Sequence, residues 1–145
     1  MTRRTLRIGL LAALAATLAL AGCSPVEPGL HPSLDDTEWI LEQWGQPGNL
    51  RLALPDRDAT LGFSGNSHAT GNAGCNGWGG SCTIAREGTI SFTDIIHTEM
   101  YCTDPGVMEQ EQFFLDALAV AENYKVVDGK LHITGGGKML VLSPA

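Results

Sequence analysis

Positive charge is scarce in this chain, where nine Lys and Arg stand against sixteen Asp and Glu over 145 residues. Three of the nine, Arg3, Arg4 and Arg7, crowd the N-terminus, so beyond residue 22 the balance is six against sixteen, a net charge of −10. A surface of that sign repels nucleic acid and anionic headgroups, which excludes both as expected partners and leaves cationic ones open. Long apolar runs are lacking too. IGLLAALAATLALA, from Ile8 to Ala21, is shorter than the ~20 residues that a membrane-spanning helix needs. The common catalytic signatures are missing: there is no GxSxG, Walker loop, HExxH or Rossmann glycine pattern. His31, His68, His97 and His132 fall on four separate segments. Scattered strand and loop residues are therefore a better reading of them than a composite metal site from the last three. No cofactor, metal or enzymatic activity is expected. Glu109 and Glu111 are two apart on an expected helix and do not face each other, which argues against a catalytic carboxylate pair. They read as capping and solvating charges.

What is present at the N-terminus is a basic start, a short apolar middle and small residues at the end, the pattern of a secretory signal over residues 1–22. That segment ends in Leu20-Ala21-Gly22-Cys23, which resembles the lipobox of bacterial lipoproteins. The resemblance implies cleavage before Cys23, lipidation of its thiol, and a mature protein anchored to a membrane rather than spanning it. Ser24, rather than Asp, follows Cys23; where the host has two membranes, this implies export to the outer one. Residues 23–33 contain Pro25, Pro28 and Pro32. Proline fixes φ and removes a backbone donor, so this stretch reads as a semi-extended tether. The expected domain, residues 34–145, is large enough for one core. Export also places Cys75, Cys82 and Cys102 in an oxidising compartment, and three thiols leave at least one over or paired outside the chain.

Along the domain, strands are expected at 38–44, 50–54, 59–63 and 67–70, followed by a glycine-rich connection, GNAGCNGWGGSC. A hairpin over 82–85 and 89–92 comes next. Asp104-Pro105 then offers an N-cap and first helical position. Val107, Phe114, Leu115, Leu118 and Ala121 share one face at helical spacing, predicting a helix that ends near Asn123. Strands 124–127 and 130–134 turn at Asp128-Gly129, a strong hairpin signal, and 138–142 closes the chain. About eight strands and one helix give a mainly β, α+β class: a strongly curved antiparallel sheet or partial barrel covered by the helix.

Gly71-Asn72-Ala73-Gly74-Cys75-Asn76, then Trp78 and Gly80, Thr98-Glu99-Met100-Tyr101-Cys102, and Met108-Glu109-Gln110-Glu111 together resemble the META domain, the HslJ-like family of small bacterial envelope proteins. Trp39 and Leu41 match that family's opening strand. The resemblance implies a cracked β-barrel with one helix, similar to lipid-anchored pilotins, and an association with heat shock and antibiotic tolerance. It also favours a Cys75–Cys102 disulfide. Chain entropy sets that pairing at about 3.5 kcal/mol against about 2.5 for Cys75–Cys82, too small a difference to decide. Cys82 stands where relatives commonly carry an aromatic residue. The expected function is a non-enzymatic, lipid-anchored envelope protein that binds another envelope component. The alternative is a small-molecule or acyl-chain carrier with an apolar cavity in the barrel. Trp78, set among glycines, and Trp44 are the candidate aromatic binding surface; for Trp78, a local packing plug is the competing reading.

Overall fold

The computed structural model describes residues 34–65, 67–85 and 87–145. The expected signal, the tether, Cys23 and His31 lie outside them.

The described residues form a 3₁₀ turn (Leu34–Asp36), nine strands and one α-helix. The strands are β1 (Glu38–Gln46), β2 (Asn49–Leu52), β3 (Thr60–Ser64), β4 (His68–Asn72), β5 (Gly77–Ile84), β6 (Ile90–His97), β7 (Asn123–Val127), β8 (Lys130–Gly135) and β9 (Lys138–Pro144). The helix α1 (Val107–Ala119) lies between β6 and β7. Eight strands run in the order β6-β5-β4-β3-β1-β9-β8-β7, with β2 paired to β1 beside that path. All pairings are antiparallel, and the sheet curls into a half-barrel. Its two edges meet at one end, where Thr89 bridges Asn123, Ile90 N–H donates to Glu122 O (3.1 Å) and Tyr124 N–H donates to Gly88 O (2.7 Å). Farther along, the edges separate, and α1 packs against β6, β9, β1 and β8.

The alternation of strand side chains puts Trp39, Leu41, Leu61, Phe63, Ile90, Phe92, Leu131, Ile133, Leu140 and Leu142 into the core. The helix answers with Val107, Phe114, Leu115 and Leu118, all buried, and Ala121 just past its end is buried as well. Full burial of Phe114 or Leu118 contributes about 2 kcal/mol each. The predicted helical face is therefore the observed one, and the Asp128-Gly129 turn joins β7 to β8 as the dipeptide requires.

Four local expectations are corrected. The glycine-rich stretch is not one long connection: only 73–76 turn, and β5 begins at Gly77. Its glycines serve close strand approach, since a Cβ at Gly80 would come within 2.9 Å of Thr93 O, where the β5–β6 register shifts by a bulge. The β6 strand also runs on to His97, beyond the expected end at Phe92. The helix starts two residues later than its acid–proline signal, capped by Gly106 at φ 82° instead of Asp104. Asp104 is drawn off into an ion pair with Arg57. The helix also ends at Ala119, because Glu122 N–H is taken by Thr134 O of β8 (2.9 Å).

That helix exit depends on Gly135. A Cβ there would lie 1.9 Å from Val120 O, so no larger residue lets the end of α1 seat against β8. Gly135→Ala is expected to lower the unfolding free energy by about 3 kcal/mol, the upper range for overpacking. Gly62→Ala, whose Cβ would meet its nearest neighbour at an ordinary 3.8 Å, is expected to cost less than about 1 kcal/mol. Urea denaturation of the two variants measures the difference.

Candidate functional site

Two constellations stand out where α1 meets the half-barrel. The first is a buried polar knot at the β4–β5 turn. Gly74 takes φ +112° there, and its N–H donates to Asn72 Oδ1 (2.7 Å). This conformation turns the next two backbone N–H groups toward Glu111 of α1. Glu111 Oε2 accepts from Cys75 N (3.1 Å) and Asn76 N (2.7 Å), and Oε1 accepts from Asn76 Nδ2 (2.7 Å). Glu111 is 4% exposed and Asn76 1%. The Asn76 carboxamide also donates to Met100 O (3.0 Å) and accepts from Thr98 Oγ1 and Met100 N, both at 2.7 Å. Both its donors and both its acceptor sites are thereby used, which is what a carboxamide needs to sit out of water. The neighbouring Gln110, fully buried, accepts from Leu54 N (2.8 Å) and donates to Arg57 O (3.1 Å).

The expectation that Glu111 is a solvated helix charge is thus corrected. Glu109 does behave that way, pairing with exposed Arg51 (2.6 Å). Two residues along a helix rotate the side chain to another face, and that rotation sends one carboxylate to water and the other into the knot. No local sequence signal separates them, because the donors for Glu111 lie about 35 residues earlier.

Cys75 and Cys102 are joined in a disulfide with Cα atoms 5.9 Å apart, the pairing that the family motifs favoured. Together with Thr98 N–H donating to Gly77 O (3.0 Å), the knot and the disulfide pin the irregular segment 98–102 along its length. That segment exposes Met100 (58%) and Tyr101 (79%). Cys82 is free and buried. Burial, and secondarily the charge of Asp35, pushes its thiol pKa above the ordinary value.

Trp44 and Trp78 are not the free aromatic faces proposed for them: they are 3% and 5% exposed. Trp78 is the packing plug, its Nε1 donating to Thr60 O (3.1 Å) and its ring edge-on to Phe92 and Phe114. Trp44 packs against Phe113 of α1 (4.8 Å between ring centroids) beneath the Arg51 guanidinium, 3.6 Å from its ring centre. Above this pair is the second constellation, a surface cleft of about 300 Å³ lined by Gly45, Gln46, Asn49, Arg51 and Phe113. His68, His97 and His132 lie apart on β4, β6 and β8. Among the described residues no three His, Cys, Asp or Glu gather as a metal-ligand set. His132 is half-buried, and burial, aided by Lys125 and Lys130, lowers its pKa against the opposing charge of Asp128. Glu42 is likewise held below the usual carboxylate range, by its hydrogen bond from Lys130.

A family model described as META domain matches residues 32–145. The chain belongs to the META domain family. Among solved structures, this META domain is similar to an NMR structure of a protein from Burkholderia xenovorans, with 30% identity, a TM-score of 0.62, and coverage of 77% of this chain and 83% of that one. A second NMR structure shares 16% identity, with a TM-score of 0.61 over 75% of this chain and 89% of that one. A crystal structure of a DUF4847 family protein from Bacteroides vulgatus shares 14% identity, with a TM-score of 0.52 over 79% and 96%. The last two likenesses concern the fold alone. No curated protein matches the chain.

The polar knot and the buried thiol each make a measurable demand. Glu111→Gln places an N–H₂ group among donors and is expected to lower the unfolding free energy by about 3 kcal/mol, while Glu109→Gln costs under about 1 kcal/mol. Urea unfolding distinguishes them. Cys82, buried and with a raised pKa, is expected to resist iodoacetamide in the native protein and to react fully once the chain is unfolded. Mass spectrometry of the alkylated protein reads both states, and ready native labelling contradicts the burial.

Proposed function

We propose that this META-domain protein is a non-catalytic lipoprotein of the cell envelope, tethered through Cys23, which acts in stress tolerance by binding another envelope component. The observation that carries the reading is the order of parts: basic start, short apolar run, Leu20-Ala21-Gly22-Cys23, proline-rich tether, then a rigid disulfide-closed domain. Acyl chains at Cys23 supply membrane affinity by the buried methylene, and two or more hold firmly where one does not. Among the described residues no helix is long and apolar enough to cross a membrane.

A non-catalytic role is supported by the uses already made of the reactive groups. The buried carboxylate of Glu111 is occupied with backbone and amide donors, Cys75 and Cys102 with each other, and Cys82 is enclosed. Binding at the surface is favoured over carriage of an acyl chain inside the half-barrel. The concave face is filled by Trp39, Trp78, Phe92 and Phe114, whereas the pinned segment 98–102 holds Met100 and Tyr101 outward. A preorganised loop loses little conformational freedom on binding. The stress role rests on the family resemblance.

Cys23→Ser is expected to move the protein from the membrane pellet to the soluble fraction while the domain stays folded, with the Cys75–Cys102 link intact on non-reducing peptide mapping. A variant still in the pellet contradicts the anchor.

A further inference from the structure

We propose that the cleft beside the β1–β2 turn binds a small anion carried on an apolar body, an aromatic carboxylate being the simplest case. The inference concerns a ligand site distinct from segment 98–102 and does not depend on the lipid anchor.

The chain is strongly acidic, yet two of its few cations lie on the Trp44–Phe113 ring pair, and one of them, Arg51, lines the cleft. The Arg51 guanidinium lies 3.6 Å from the Trp44 ring centre, and the Lys138 ammonium lies 4.6 Å from that of Phe113. The two rings are themselves 4.8 Å apart. Cation–ring contact fixes both charges in place, and a guanidinium stacked on a ring keeps its N–H edge available in the plane. Gln46 and Asn49 add carboxamides to the lining, and Phe113 supplies a half-buried apolar wall. Beside the cleft, the indole N–H of buried Trp44 finds no acceptor among the described residues, although buried polar groups ordinarily have one. Arg51, the two carboxamides and the Phe113 ring in one lining match an anionic group attached to an apolar body. The volume of about 300 Å³ stands at the lower end for ligand pockets, which suits a single ring and excludes a long acyl chain.

Glu109 already touches Arg51 at 2.6 Å, but the two side chains are 63% and 54% exposed. An exposed pair of this kind is weak, so an incoming carboxylate can take its place. Glu109 thereby becomes an internal competitor, and the proposal acquires a sign: removing its charge strengthens ligand binding. Lys138 lies on the Phe113 ring, outside the lining itself, and takes no part in the three ion pairs among the described residues, so its charge adds to the positive potential at the cleft without touching the ligand.

The test is an amide-resolved NMR titration of the ¹⁵N-labelled mature lipoprotein in neutral detergent micelles, with benzoate as probe. Benzamide keeps the ring without the charge, and acetate the charge without the ring. Benzoate is expected to give saturating shifts at the amides of Gly45, Gln46, Asn49 and Phe113, with both controls weaker by about tenfold, the scale of one hydrogen bond to a charged group. Lys138→Met is expected to weaken benzoate by roughly threefold and Glu109→Gln to tighten it by roughly threefold, both on the scale of an exposed charge pair. Both side chains are on the surface, and an unchanged amide spectrum away from the cleft verifies that each variant is folded. Shifts that never saturate or fall elsewhere, benzamide binding as well as benzoate, or a folded Glu109→Gln variant that binds no tighter would each overturn the proposal.

Discussion

A carboxylate withdrawn from water must be given donors, and Glu111 receives them from a turn some 35 residues away in sequence. Cys75 N, Asn76 N and Asn76 Nδ2 all point at its two oxygens. Such charge-assisted bonds are short and strong, and the cost of leaving buried donors unmet makes the arrangement close to all-or-none. Much of the molecule hangs on it. The turn 73–76 takes its shape from those donors, β5 starts from that turn, and Asn76 uses the rest of its carboxamide to hold segment 98–102. The disulfide then locks the same two segments covalently. Gln110, one residue earlier, ties α1 to the β2–β3 connection. The helix is thus bolted to the sheet by polar contacts at its first turns and by Phe114 and Leu118 beyond them.

The bolt matters because the sheet does not close by itself. Its edges touch at Thr89 and Asn123 and then diverge, and an unpaired edge is a hazard unless something covers it. The helix fills that opening, and the aromatic side chains of the sheet fill the concave face against it. What the fold leaves for function is therefore on the outside: a pinned loop bearing Met100 and Tyr101, and a cleft where two cations lie on Trp44 and Phe113. Both are rigid for the same reason, since each is built on residues fixed by α1.

The hairpin at Asp128-Gly129, the buried helix face and the curled β-rich class follow from local rules of turn conformation, period and alternation. The signal pattern and Leu20-Ala21-Gly22-Cys23 are likewise local, and they set the expectation of an anchor at Cys23. The Cys75–Cys102 pairing came from the order of motifs. Chain entropy alone did not distinguish it from the Cys82 alternative.

The polar knot, the burial of Trp44 and Trp78, the strand hidden in the glycine-rich stretch and the true helix start were decided by tertiary structure. Glu109 and Glu111 are the plainest case. They are identical residues two positions apart on the same helix, and neighbouring sequence treats them alike. One meets water and Arg51; the other meets backbone N–H groups delivered by a distant turn. Propensity and periodicity act between near neighbours and so are written along the chain, whereas the fate of a buried polar group depends on which far segment folds against it.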